Sequence, residues 1–121
     1  MADVATLIDD YIETWNEKDP ERRRALVART FTDDADYLDP LMQGDGQDGI
    51  DTMIAGVQQQ YADYRFELAA GPDAHHDRVR FSWHLVGNGG GDPVATGFDF
   101  GTLAEDGRLR TVTGFLETPA H

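Results

Sequence analysis

The stretch RVRFSWHLVG, residues 78–87, alternates apolar and polar side chains along its length. Its apolar members are Val79, Phe81, Trp83 and Leu85. Successive side chains of a β-strand point to opposite faces of a sheet, so this period of two predicts a strand with one face in the protein core. Turns rich in glycine, proline and aspartate are predicted on both sides of it, and they favour pairing with antiparallel neighbours.

Three helices are predicted in the N-terminal half, from apolar residues that recur at helical spacing. The first follows Asp3, which can cap it, and the second begins at about Pro20. The third is expected over residues 50–61, and Asp48 or Asp51 could cap it.

The remaining patterns predict strands and complete the fold class. Besides residues 78–87, strands are expected over residues 35–40, 64–70, 94–104 and 108–118. The order predicts one α+β domain, residues 1–121, with three N-terminal helices packed on one face of a curved antiparallel sheet. Such a fold encloses a pocket between the concave sheet face and the helices.

The composition narrows the class of partner. Of 121 residues, 23 are Asp or Glu and 10 are Lys or Arg, so the net charge is −13 and argues against binding nucleic acid or anionic membrane surfaces. The chain has no cysteine, and its histidines lack the spacing of a metal site, so no metal is expected. It shows no membrane-spanning apolar run and no signal-peptide pattern, which predicts a cytoplasmic protein.

Three polar residues stand among apolar neighbours. Tyr11 lies on the apolar face of the first helix, Asp39 directly follows a short strand, and Asp99 is in the middle of GFDFG. Asp99 is either exposed opposite two phenylalanines or turned into the pocket, where burial would raise its pKa and favour the protonated form. In the second case Asp99 and Tyr11 could both donate hydrogen bonds to a ligand oxygen, and Asp39 could act as a general base.

Three segments resemble the nuclear transport factor 2-like (NTF2-like) superfamily, and within it the SnoaL-like proteins and Δ5-3-ketosteroid isomerase. YIETWNEKD resembles the first-helix segment of the isomerase, including its Tyr-x4-Asn spacing at Tyr11 and Asn16. FTDDADYLDP resembles the segment that ends in its catalytic base, and FDFGTLAEDGRLR resembles the strand pair that carries its protonated acid. The resemblance implies a cystatin-like (NTF2-like) cone.

The resemblance also implies roles for individual residues. Asp39 falls on the base, Asp99 on the protonated acid and Tyr11 on the tyrosine of the oxyanion hole. The tyrosine that supports the oxyanion-hole tyrosine falls on Val57, although Tyr61 or Tyr64 could take its place.

Two functions follow as alternatives. The first is a cofactor-independent enzyme that moves a proton next to a carbonyl, as a ketosteroid isomerase or a polyketide cyclase of SnoaL type does, and its ligand would be a small apolar carbonyl compound. The second is a ligand-binding or scaffolding domain without turnover. Hydratase chemistry is a weaker alternative, because it resembles an Asp-Arg-Asp arrangement and no arginine is predicted inside.

Large side chains are predicted either to fill the core or to line the pocket and stack on a flat ligand. The predicted substrate-binding residues are Trp15, Tyr37, Val57, Phe81, Trp83 and Phe115.

Two surface features complete the expectations. The run ERRR, residues 21–24, is predicted to be a solvated helix face. The resemblance implies a homodimer, and the open sheet face that carries His84 and Val86 is its expected contact.

Overall fold

The computed structural model describes residues 3–117 and contains three α-helices and six β-strands in that range. The elements in chain order are α1 (Val4–Asn16), α2 (Pro20–Thr30), β1 (Phe31–Leu38), β2 (Gln43–Asp45), α3 (Gly46–Gln60), β3 (Tyr64–His75), β4 (Arg78–Gly87), β5 (Ala95–Leu103) and β6 (Leu109–Leu116).

The six strands form one sheet in the order β2-β1-β6-β5-β4-β3. The predicted α+β class and the four-strand meander β3 to β6 are confirmed. The sheet is mostly antiparallel, but β1 pairs with β6 in parallel, which the sequence patterns did not indicate. Parallel neighbours need a long crossover, and β2, α3 and the first three strands of the meander lie between these two strands in the chain.

The helix ends follow from local side chains, with one error in the prediction. Asp3 caps α1 by accepting a hydrogen bond from the Thr6 N–H at 3.0 Å, as predicted. At α3 the predicted caps are wrong, because the helix begins at Gly46, before both candidates. Asp48 lies in its first turn and Asp51 further along it, where a side chain cannot cap the helix start.

Helix α1 packs against the sheet and brings Tyr11 to the Asp99 side chain of β5. Ile8 and Tyr11 are buried on the face that packs against the core. Asn16, at the end of α1, makes two hydrogen bonds to the backbone of Phe66 in β3, at 2.7 and 2.8 Å. This paired amide contact fixes the angle of α1 on the edge of the meander, and therefore the depth of Tyr11.

The run ERRR is not entirely a solvated face, which corrects the prediction. Arg23 is buried, and its Nε donates a hydrogen bond to Asp51 Oδ1 of α3 at 2.7 Å. Its Nη1 donates to Gln58 at 2.9 Å. A charged side chain at a helix–helix contact needs such partners, because an unpaired buried charge is costly. Arg23 does not belong to the wall of the central cavity.

Two kinds of feature were not found in residues 3–117. None of the three described helices has the length and apolar composition that crossing a bilayer requires. Across the same range, no cluster of three or more His, Cys, Asp or Glu side chains could hold a metal ion.

The Arg23–Asp51 pair predicts a large asymmetry between neighbouring arginines. Replacing Arg23 by alanine leaves a buried carboxylate without its partner, so we expect a loss of about 3–5 kcal/mol in the free energy of unfolding. Arg24 is the matched control: its side chain is 75 % exposed, and its nitrogen lies 3.8 Å from Asp51. Arg24→Ala is expected to change stability by less than about 0.5 kcal/mol. Urea denaturation at pH 7 measures both, and equal losses would contradict the assignment.

Candidate active site

A cavity of about 980 Å³ lies between the helices and the concave face of the sheet. The buried and half-buried aromatic and acidic residues of its wall, which we call the inner end, are Tyr11, Trp15, Tyr37, Asp39, Phe66, Trp83 and Asp99. The solvent-exposed part of the wall, which we call the mouth, includes residues of α3 and Val94 just before β5.

Asp99 is the centre of the hydrogen bonds at the inner end. It lies in β5 and is only 3 % exposed. Of the two predicted alternatives, exposure to solvent or a side chain turned into the pocket, the structure has the second. The Tyr11 hydroxyl donates to Asp99 Oδ2 at 2.6 Å, and the Trp83 indole N–H donates to Oδ1 at 3.1 Å. Both carboxyl oxygens therefore have partners, which allows an acid to be buried in an aromatic environment.

Burial is the main influence on the ionisation of Asp99. The pKa of Asp99 is raised to about 6, mainly by desolvation and also by the nearby charge of Asp39, although the hydrogen bonds from Tyr11 and Trp83 lower it. Burial also raises the pKa of Tyr11 well above its usual value, and the negative charge of Asp99 adds to this effect. Tyr11 is therefore a neutral hydrogen-bond donor at any working pH.

Asp39 is held rigidly at the end of β1. The Tyr37 hydroxyl donates to its Oδ2 at 2.7 Å. Its Oδ1 accepts hydrogen bonds from the backbone N–H groups of Leu41 at 2.8 Å and Met42 at 2.9 Å. These backbone bonds belong to the turn between β1 and β2, a common use of aspartate before proline. Burial raises the pKa of Tyr37, so this phenol keeps its proton and remains a donor to Asp39.

Gly114 of β6 allows the two acids to approach each other. A methyl group at this position would lie 2.9 Å from Asp99 Oδ1, 3.1 Å from Asp39 Cβ and 3.2 Å from the Tyr37 hydroxyl. The two aspartates and Tyr37 thus surround one point at the inner end of the cavity. Any larger residue at position 114 would have to push at least one of them away.

Gly97 has a similar effect on Trp83. A methyl group there would lie 2.5 Å from Trp83 Cζ2. The indole therefore crosses β5 directly over the glycine, and this close approach brings its N–H to Asp99.

The structure brings together the three predicted catalytic residues and four of the six predicted substrate-binding residues. Tyr11, Asp39 and Asp99 all contribute to the cavity wall, as do Trp15, Tyr37, Val57 and Trp83.

Phe81 and Phe115 do not line the cavity, and the prediction is wrong for both positions. Phe81 is buried behind Tyr11, with the two ring centroids 5.1 Å apart, so Tyr11 separates it from the cavity. Phe115 stacks on Phe98 at 5.0 Å on the outer face of the sheet and is 47 % exposed. Its neighbour Gly114 faces inward, and adjacent residues of a strand face opposite sides.

Two aromatic residues have polar roles that the sequence patterns did not indicate. Tyr37 and Trp83 were predicted as stacking surfaces, whereas their polar atoms hold Asp39 and Asp99. A sequence signal existed for Tyr37, because residues 37 and 39 share one face of an extended segment. For Trp83 only the register of β4 on β5 identifies the partner.

Tyr61 and Tyr64 were the predicted replacements for the tyrosine that supports Tyr11. They pack on each other, with ring centroids 5.7 Å apart, whereas the Tyr11 hydroxyl bonds to Asp99.

Comparisons with known proteins agree with this architecture. The family model described as "SnoaL-like domain" matches residues 8–112. A SnoaL-like family protein from Agrobacterium tumefaciens, provisionally assigned as an isomerase, is 46 % identical, with a TM-score of 0.88 over 93 % of this chain and 96 % of that one. No curated protein sequence matches the chain.

More distant structures share the fold alone. A provisionally assigned polyketide cyclase from Sinorhizobium meliloti is 18 % identical, with a TM-score of 0.70 over 90 % of this chain and 93 % of that one. A Methylobium petroleophilum protein of cystatin-like fold, whose function is unknown, is 19 % identical, with a TM-score of 0.75 over 97 % of this chain and 77 % of that one. The predicted cystatin-like (NTF2-like) fold is confirmed.

The raised pKa of Asp99 predicts a pH-dependent stability. A carboxyl group that binds its proton more tightly when folded stabilises the fold below its usual pKa, and this contribution disappears as the pH rises through about 6. At pH 5, about one pH unit below the pKa in the folded state, this contribution to the free energy of unfolding is about 1.4 kcal/mol. It is absent at pH 8.

Asp99→Asn removes this titration with little change in shape. We therefore expect the stability of the variant relative to wild type to rise by about 1.4 kcal/mol between pH 5 and pH 8. Urea denaturation of both proteins at the two pH values measures the difference. A relative stability that does not change with pH would contradict the raised pKa.

Proposed function

The chain belongs to the SnoaL-like family, and on this premise we propose that it is a cofactor-independent acid–base enzyme that moves a proton next to a carbonyl group. The proposal rests on one observation: Asp39 and Asp99 come together around Gly114, at the inner end of a mostly apolar cavity. A single acid has several explanations. Two acids in different environments at the same place could divide the roles of base and hydrogen-bond donor between them.

Asp39 is the proposed base. It is only partly buried, and three donors from its own turn and strand keep its carboxylate in one orientation. It would take a proton from the carbon beside the carbonyl and return it to another carbon of the same ligand, so the net reaction is an isomerisation without loss of atoms. The hydrogen bond from Tyr37 would keep the base aimed at the cavity.

Tyr11 is the proposed donor to the carbonyl oxygen, and protonated Asp99 is proposed to support it. When Asp99 carries a proton, it can donate that proton to the Tyr11 oxygen 2.6 Å away, and the Tyr11 proton is then free to reach the ligand. The enolate oxygen that develops during proton removal would be stabilised by a donor already in position. No metal or cofactor enters this chemistry.

The cavity wall favours an apolar carbonyl compound as the substrate. Trp15, Phe66 and Trp83 present aromatic surface to it, as a flat or cyclic ligand requires. Ring closure of a polyketide uses the same proton removal next to a carbonyl. Because one of the similar structures is a provisionally assigned polyketide cyclase, we propose this ring closure as a second version of the reaction.

One observation favours a second candidate, a domain that binds the ligand without turnover. Every carboxyl oxygen of Asp39 and Asp99 already accepts a hydrogen bond from the chain itself. These oxygens already have partners within the chain, and a cavity built this way could hold an apolar ligand with no reaction.

The decisive measurement is isomerisation of a β,γ-unsaturated ketosteroid, followed by the ultraviolet absorbance of its conjugated product. We expect activity in the wild type and a loss of roughly a hundredfold or more in Asp39→Asn, because the general base is removed. Asp36→Asn is the matched control, since Asp36 is an exposed acid on the same strand and does not line the cavity. It should keep the wild-type rate.

The outcomes separate the two candidates. Equal rates in wild type and Asp39→Asn would rule out Asp39 as the base. An inactive wild type that still binds the ketosteroid would favour the ligand-binding domain.

Homodimer formation stays a prediction, with a revised contact. Val86 is only 5 % exposed within the single chain, so it offers little surface to a partner. Phe100 and Phe115 are exposed large apolar residues of the same outer sheet face. We expect light scattering after size-exclusion chromatography to give twice the mass of the chain, and Phe115→Lys to shift the protein towards monomer. A monomeric wild type would contradict the expectation.

A further inference from the structure

We propose that one face of α3 is a second subsite, which holds the polar, non-anionic end of an elongated ligand whose apolar end occupies the inner cavity. The subsite consists of Asp48, Thr52, Gly56 and Gln60, and we call it the α3 strip. The inference rests on the proposed function only in that the cavity receives a ligand, and it requires no turnover.

The first observation is the position of the α3 strip. Its four residues recur every fourth position of the helix, so they follow one another along one side of it. All four are exposed to solvent, yet all four belong to the wall of the cavity. The strip is therefore the open side of the same space whose inner end holds Asp39 and Asp99.

The second observation is the glycine in the interior of α3. Gly56 lies between Thr52 and Gln60, and glycine destabilises a helix interior relative to alanine. Its backbone does not require glycine, since Gly56 is absent from the residues with positive φ. Apart from its chain neighbours and the nearby backbone of α3, no atom lies within 4 Å of the position that its Cβ would occupy. Packing within the described chain therefore does not require a glycine, and the missing side chain leaves space in the cavity mouth.

The third observation is the mixed chemistry of the mouth. Outside the α3 strip, its exposed residues include the apolar Leu41 and Val94. The strip itself presents a carboxylate, a hydroxyl and an amide. A ligand that extends to the mouth would thus have hydrogen-bonding partners along α3 and apolar contacts elsewhere in the mouth.

The charge of the wall determines which polar ends fit. Among the described residues of the wall, the ionisable groups other than tyrosine are Asp39, Asp48 and Asp99, and none is Arg, Lys or His. The whole chain adds a net charge of −13. A carboxylate or phosphate on the ligand would find no cation there and would be repelled, whereas hydroxyl, amide or amine groups would be accepted.

Three dansyl probes test the subsite without any catalytic assay. Dansylglycinamide carries a neutral polar tail, dansylglycine carries a carboxylate on the same body, and dansylamide lacks the tail. The two tryptophans of the chain, Trp15 and Trp83, both line the cavity, so energy transfer from tryptophan to dansyl reports binding at this place. Binding curves at pH 7 give a dissociation constant for each probe.

In the wild type we expect dansylglycinamide to bind at least about tenfold more tightly than dansylglycine, because Asp48 and the other acids repel the carboxylate. Asp48→Asn should reduce this preference. Equal affinities for the two probes, tighter binding of dansylglycine, or no saturable binding of any probe would each overturn the proposal.

Gly56→Leu tests the steric half of the proposal. The leucine side chain would fill the mouth, so we expect dansylglycinamide to lose about tenfold in affinity and dansylamide to lose less. Gln59→Leu is the matched control, since Gln59 is exposed on α3 but outside the cavity wall, and it should change neither affinity. Leucine favours a helix more than glycine does, so the variant should fold, and circular dichroism checks this.

Two results would contradict the role of Gly56. One is an unchanged affinity of Gly56→Leu for dansylglycinamide. The other is an equal loss for dansylamide, which would make position 56 part of the inner cavity. Failure of the ketosteroid assay has no bearing on these binding curves, so the two proposals can fail separately.

Discussion

The burial of Asp99 is the constraint on which the site depends. A carboxyl group in an aromatic cavity needs a partner for each oxygen, and Tyr11 and Trp83 supply them from opposite sides. Tyr11 must then lie deep under α1, and the two bonds of Asn16 to β3 hold the helix at that depth. Trp83 must cross β5 closely, which requires the glycine at position 97. One buried acid thus links α1, β3, β4 and β5.

The second acid is controlled by a different kind of structure. Asp39 receives its hydrogen bonds from Tyr37, two residues earlier, and from the backbone of the turn that follows it. Its orientation is therefore a local property of the β1–β2 connection, whereas that of Asp99 depends on the whole sheet. The two acids meet only because Gly114 of β6 leaves space between them. One cavity therefore contains a half-buried carboxyl group held by local bonds and a buried carboxyl group held by the whole sheet.

The main elements of the fold could be predicted from sequence because their signals are strong and local. Alternation in β4 and helical spacing in α1 correspond directly to elements of the structure. The errors lie where local and long-range forces compete. The parallel pairing of β1 with β6 has no local signal. Arg23 looked like part of a solvated face because its partners, Asp51 and Gln58, come from another helix.

The sequence by itself determined which side chains could be chemically active: Tyr11, Asp39 and Asp99 are polar residues in apolar segments, and such placement follows from composition and period alone. Only the tertiary structure decided what each of them contacts. Phe81 and Phe115 share the aromatic chemistry of Trp83, but Tyr11 covers the first and the alternation of β6 turns the second outward. The register of the strands and the depth of α1 decide whether an aromatic residue lies in the core, in the cavity wall or on the surface. Both register and depth depend on contacts between residues far apart in the chain.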